Sequence, residues 1–200
     1  SVQRSQREKS ELPVVALMGY TNSGKSALMN RLLSLSQKED KAVTERDMLF
    51  ATLDTQQRSI CLEKNHEFIL IDTVGFVSKL PHSLIQAFKA TLEEVTYADL
   101  LLHVVDSSYE NYDFHIDVTN RVIEEIGAGG KEKLMVYNKI DRLGQLPVDA
   151  TGCESVFISA KRGDNMELLL EQIKEKLFGS RIKARLLIPY DRGDLSSYLC

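Results

Sequence analysis

The sequence of 200 residues has little of what would mark a secreted or membrane protein. Its three cysteines, Cys61, Cys153 and Cys200, stand far apart, with no C-x-x-C pair. That argues against a disulfide framework or a zinc site and suits a reducing compartment. No apolar run approaches the ~20 residues of a membrane span. Arg4, Arg7, Glu8, Lys9 and Glu11 make the start polar, so no secretory leader is expected. A basic excess is missing too: the net charge is −4, and nucleic-acid binding cannot be read from it. There is no internal repeat and no low-complexity tract. A cytoplasmic monomer is the expectation, with peripheral membrane association left open.

What is present is ordinary for a globular protein: 43% apolar and 27% charged residues. The length suits one domain with a small appendage. Residues 1–12 read as a polar linker or the end of a preceding helix, and 13–179 as one α/β domain. Residues 180–200 read as a tail that begins a small appended unit, with a strand over 182–188.

Apolar runs predict strands over 14–18, 58–63, 67–71, 100–105, 134–137 and 156–158. The second and third are separated by Lys64-Asn65-His66 and read as an antiparallel hairpin. Helical spacing predicts helices over 25–35, 82–95, 112–126 and 164–178. In the last of these Leu168, Leu169, Ile173 and Leu177 are expected inward. Residues 36–57 are polar and irregular, a long loop. Strands alternating with helices imply a mostly parallel six-stranded sheet, with one antiparallel edge strand and helices on both faces.

Four segments carry chemistry. Gly19-Tyr20-Thr21-Asn22-Ser23-Gly24-Lys25-Ser26 fits the P-loop pattern G-x-x-x-x-G-K-[ST], with Ala27 opening the helix behind it. Glycines let the backbone approach closely, and successive N–H groups form an anion nest at a helix N-terminus. Lys25 would reach the β- and γ-phosphates, and Ser26 would ligate Mg²⁺. Asp72-Thr73-Val74-Gly75 ends an apolar strand. Asp72 would hold Mg²⁺ through water, and the Gly75 N–H would meet the γ-phosphate.

Asn138-Lys139-Ile140-Asp141 follows another strand. The Asp141 carboxylate can accept from guanine's N1–H and exocyclic amine, a donor pair that adenine lacks. Asn138 would tie this loop to the P-loop, and the Lys139 stem would lie over the base. Ser159-Ala160-Lys161 ends the next strand, with the Ala160 N–H expected at guanine O6. The pattern is that of a P-loop GTPase binding GTP or GDP with Mg²⁺.

Finer residues resemble the HflX family of ribosome-associated GTPases. They are the loop opening Gly19-Tyr20-Thr21-Asn22, Leu49-Phe50-Ala51-Thr52-Leu53-Asp54, Asp72-Thr73-Val74-Gly75-Phe76 and Leu80-Pro81-His82. Ala87-Phe88-Lys89-Ala90-Thr91-Leu92-Glu93-Glu94, Leu101-Leu102-His103-Val104-Val105-Asp106 and the tail from Ile188-Pro189-Tyr190 add to them. The resemblance implies a GTPase that binds the large ribosomal subunit and serves ribosome splitting or rescue under stress. It also implies an N-terminal domain before the G domain, so the chain is read as one piece of a longer protein.

Thr52 is the expected γ-phosphate and Mg²⁺ sensor, with Thr55 as runner-up. The family pattern usually continues as Pro-Thr-Thr-Arg, where this chain has Thr55-Gln56-Gln57-Arg58. Phe76 stands where Ras-like enzymes carry a water-orienting glutamine. Hydrolysis is therefore expected to be slow and partner-stimulated. The alternative is a nucleotide-gated binding module. Asn22 is a candidate K⁺ ligand, whose charge could stand in for an arginine finger. Among the histidines, His103 reads as a satisfied core residue, His66 as a turn residue and His115 as helix surface. His82 reads as a helix-start or surface residue.

Overall fold

The computed structural model describes residues 12–36, 57–63, 66–73, 75, 94–146 and 152–179. The first strand, β1 (Val14–Met18), is apolar at every position and buried at every position. Side chains alternate across a strand, so such a run needs cover on both faces. Val15 and Leu17 join one cluster; Val14, Ala16 and Met18 join another.

The first cluster is closed by α1 (Lys25–Leu35) and α3 (Met166–Phe178). Leu28, Met29 and Leu32 of α1 and Met166, Leu169 and Ile173 of α3 enter it. Each such side chain contributes about 1.5–3 kcal/mol by leaving water. The opposite face is covered by α2 (Tyr112–Glu125), through Ile116, Val122 and Ile123.

The sheet has six strands in the order β2-β3-β1-β4-β5-β6. β2 (Gln57–Glu63) pairs antiparallel with β3 (His66–Asp72) at one edge. β3, β1, β4 (Leu100–Asp106), β5 (Lys133–Asn138) and β6 (Ser155–Phe157) run parallel. This is the expected fold class. Because these strands are parallel, Met18, Asp72, Asp106 and Asn138 all end them at one edge.

Three local expectations are corrected. α3 starts at Met166, two residues late, because Asn165 is left-handed (φ 58°) and Ser159 N–H donates to Asp164 O at 3.2 Å. Leu168 is 47% exposed rather than inward. At 100° per residue it lies opposite the stripe of Met166, Leu169 and Ile173. His66 opens β3 instead of sitting in the turn, and its ring meets the edge of Phe178. The proposed helix over 82–95 lies outside the described residues up to 93. Its end is a 3₁₀ turn, Val95–Tyr97. The expected strand over 182–188 lies outside the described residues altogether.

His103 is buried, as expected for the core, but its Nδ1 has no hydrogen-bond partner. Burial, with the charges of Lys133 and Lys25 beside it, pushes its pKa down to about 3. Both effects favour the neutral imidazole.

Candidate nucleotide-binding site

Residues 19–26 connect β1 to α1, and Gly24 is the N-cap of α1, with φ 97°. Only glycine adopts that conformation without strain. A Cβ there would also stand 2.3 Å from Asn138 Nδ2. The cap has no side-chain hydrogen bond, so the first N–H groups of α1 are presented to whatever lies beyond it. Gly75 makes a second close approach: its Cβ would meet Thr21 Cα at 2.8 Å and Lys25 Nζ at 3.1 Å. The glycine of D-x-x-G thus lies against the phosphate loop.

Lys25 is 6% exposed, and its ammonium donates to Gly19 O and Tyr20 O, each at 3.0 Å. Burial pushes its pKa down to about 8, with the Asp72 carboxylate opposing the shift. A buried cation held only by neutral carbonyls gains from an anion brought beside it. Ser26 Oγ donates to Asp72 Oδ2 at 2.9 Å, so these two proposed metal ligands are adjacent. Asp72 Oδ1 is buried and has no hydrogen-bond partner.

The base-side loop is tied to the phosphate loop. Asn138 Nδ2 donates to Ser23 O at 3.0 Å. Asn138 Oδ1 accepts from Lys139 N at 2.8 Å and from Ala160 N at 3.0 Å. The Ala160 N–H, expected at guanine O6, is therefore directed to Asn138 here. Lys139 is left-handed (φ 70°), and its Nζ donates to Asn22 O at 2.6 Å and to Asp106 Oδ2 at 2.5 Å. Asn22 is left-handed as well (φ 61°), an unusual backbone for a residue other than glycine.

Asp141 lies in the 3₁₀ turn Ile140–Arg142. Ser159 Oγ donates to its Oδ1 at 2.7 Å, and that bond holds the carboxyl below its usual range. The loop behind it is braced by α1: Arg31 donates to Ala160 O at 3.0 Å and Lys161 O at 2.8 Å.

One cleft of about 1050 Å³ runs past Tyr20, Thr21, Asn22, Gly24, Lys25, Ser26, Ala27, Gly75 and Lys139. Arg142, in the turn that carries Asp141, also lines it; Asp72, Asn138, Asp141, Ser159, Ala160 and Lys161 are not among the lining residues. Thr52, its runner-up Thr55, Phe76 and His82 lie outside the described residues.

Sequence reasoning missed five of the lining residues: Thr73 and Arg142, which neighbour predicted site residues, and Asp106, His115 and Tyr109. Asp106 ends β4 as Asp72 ends β3, and that position was its signal. Burial pushes its carboxyl up, but bonds from Lys139 and Ser108 outweigh this and hold it below the usual range. His115 is not plain helix surface: it lines the cleft and stacks on Tyr20. Tyr109 lines the cleft from the other side of His115, and no pattern in the sequence pointed to it.

Residues 14–139 match the family model described as 50S ribosome-binding GTPase. The GTPase HflX of Caldanaerobacter subterraneus subsp. tengcongensis is 44% identical over 199 residues, covering 100% of this chain and 45% of that protein. The GTPase HflX of Escherichia coli is 40% identical over 199 residues, covering 97% of this chain and 45% of that protein. The chain thus spans a little under half the length of these relatives. Among solved structures, a GTP-binding protein from Sulfolobus solfataricus in complex with GDP superposes with a TM-score of 0.63. It is 26% identical, and the match covers 88% of this chain and 55% of that one. The phosphate loop, the strand order and these matches agree: the chain belongs to the 50S ribosome-binding GTPase family and, within it, to the HflX group.

Proposed function

We propose that residues 13–179 form a G domain that binds GTP and GDP with Mg²⁺ and hydrolyses GTP. Its setting would be an HflX-type protein acting on the large ribosomal subunit. Residues 1–12 would be a linker, and 180–200 the start of an appended unit. The observation that carries this reading is the buried Lys25 ammonium beside the Ser26–Asp72 pair, facing a loop tied down by Asn138. A buried cation and a helix N-terminus together favour a phosphate chain.

Mg²⁺ fits the same place. Asp72 Oδ1 is a buried acceptor without a partner, and the Ser26 hydroxyl is next to it. Among the described residues no group of three His, Cys, Asp or Glu could hold a metal alone. Ser26 and Asp72, with Thr52 as the proposed third, would therefore share the ion with phosphate oxygens and water, as Mg²⁺ prefers. When bound it supplies positive charge to the β- and γ-phosphates.

The chain's own residues do the rest. Lys25 neutralises developing charge on the phosphates, and the Gly75 N–H would meet the γ-phosphate; the close approach of Gly75 to Thr21 and Lys25 supports this. Asn22 is the proposed K⁺ ligand. What supports this is an exposed amide lining the cleft on a backbone already bent to φ 61°. Asp141, aimed by Ser159, reads the base with the Lys139 stem over it and Lys161 alongside, while the Ala160 N–H is taken by Asn138.

The test is phosphate release from GTP by this chain, alone and with large ribosomal subunits, in KCl and in NaCl. Slow turnover that rises with subunits and with K⁺ is expected. Equal rates in the two salts would remove K⁺ from the mechanism. No phosphate release in a single turnover would leave a nucleotide-gated binding module instead. Displacement of GTP by ATP at equal concentration would overturn the assignment of the base.

A further inference from the structure

The phosphate loop is gripped from outside as well as from within. The ring of Tyr20 stacks on His115, with centroids 3.8 Å apart and planes 9° apart. Tyr109 also stacks on His115, at 4.4 Å and 12°. Two rings cannot share one face at those separations, so the imidazole lies between them. Three separate elements meet there: the phosphate loop, the β4–α2 connection and the first half of α2.

The outer ring of the sandwich is set by a local turn. Ser108 N and Oγ donate to Asp106 Oδ1 at 3.1 and 2.6 Å, and Tyr109 N donates to Asp106 O at 3.2 Å. The inner ring belongs to a residue whose backbone is part of the phosphate site. Tyr20 O accepts from Lys25 Nζ at 3.0 Å and from Ser23 N at 3.3 Å. Fixing the Tyr20 ring therefore restricts the peptide that holds the Lys25 ammonium. The rings stacked on His115 belong to the phosphate loop and to the β4–α2 connection, so its effect falls at the phosphate end.

We propose that His115 is a positioning residue for the phosphate end of the site: sandwiched between Tyr20 and Tyr109, it fixes the first peptide of the phosphate loop and, through it, Lys25. The role asks for a flat ring at position 115 and no proton transfer. It rests on the reading that the cleft binds guanine nucleotides.

The experiment measures affinities of fluorescent GDP and GMP for the wild-type chain and three variants, each checked for folding by circular dichroism. A stacked aromatic pair contributes enough to change an equilibrium by about 2- to 10-fold. His115→Ala removes both pairs and is expected to weaken GDP by roughly 10-fold. GMP, which lacks the β-phosphate, should change by less than about 2-fold. His115→Phe keeps the flat ring and should bring GDP back to within about 3-fold of wild type.

Tyr109→Ala truncates a ring that is 49% exposed, so it leaves the core intact. It should weaken GDP by about 2- to 5-fold, and it carries the test should His115→Ala fail to fold. GDP affinity unchanged in Tyr109→Ala and His115→Ala would overturn the inference. So would equal losses for GDP and GMP, or no rescue by His115→Phe. If the wild-type chain bound no GDP, the functional reading itself would fall, and this inference with it.

Discussion

At the phosphate end of the cleft Lys25 is a buried cation held by two carbonyls, and Asp72 Oδ1 is a buried acceptor with no partner. At the base end Asp141 is partly exposed, and its carboxylate is already aimed by Ser159. Asn138 there makes three bonds, and Arg31 braces the loop behind. One end holds polar groups that a ligand would relieve. The other holds polar groups that are satisfied and waiting in position. Unrelieved charge gives binding its strength, because adding the anion removes a standing cost. Preorganised groups give selectivity, because a wrong base leaves a fixed carboxylate unpaired.

Substitutions can break that contrast from either side. Lys25→Ala should have the largest effect. Bonds to charged groups are worth about 1.5–3 kcal/mol each, so GDP and GTP should weaken by about 100-fold or more in calorimetric titration. Asp141→Asn comes next, with GTP weakened by about 30- to 100-fold. The asparagine amide now donates where guanine also donates. Xanthosine triphosphate, with a carbonyl at that ring position, should gain relative to GTP, and competition between the two reads the exchange.

The pH dependence sharpens the contrast further. Lys25 in the nucleotide-free protein has a pKa of about 8, and the phosphates must raise it on binding. The affinity gained from the ammonium is fully present below pH 8. It is lost as pH rises through and beyond that value, by at most about tenfold per unit. GDP affinity measured from pH 7 to 9 should fall in the wild type and run flatter in Lys25→Met. The smallest effect is expected for Ser159→Ala. Asp141 then loses its aiming bond, worth about 1 kcal/mol, and GTP should weaken by about 5-fold with little change in the pH profile.

The phosphate end was more legible in the sequence than the base end, and both were more legible than the wall between them. The loop glycines are expected to let the backbone approach closely, and at Gly24 a Cβ would stand 2.3 Å from Asn138 Nδ2. Leu168, Leu169 and Leu170 are alike in composition, but consecutive residues stand 100° apart on a helix, and packing turned Leu169 inward and Leu168 out. Asn165, left-handed at φ 58°, set the true start. His115 looked like surface because its partners, Tyr20 and Tyr109, are distant or irregularly spaced in sequence. A stacked ring leaves no periodic trace.

Hydrophobic runs and short motifs determined the α/β class, the strand sequence, the phosphate loop, and the positions of Asp72 and Asn138 at the ends of strands. These are local: each follows from the conformational limits of glycine, the two-residue repeat of a strand or the 3.6-residue repeat of a helix. The tertiary structure decided what depends on contact across the chain. It placed Ser159 on Asp141, Lys139 on both Asn22 and Asp106, Arg31 on the backbone of Ala160 and Lys161, and His115 between two tyrosines. It also set the depth of Lys25, and so the pKa of about 8 that makes its ammonium ready for an anion. Burial and stacking come from packing many segments together, and no single stretch of sequence carries them.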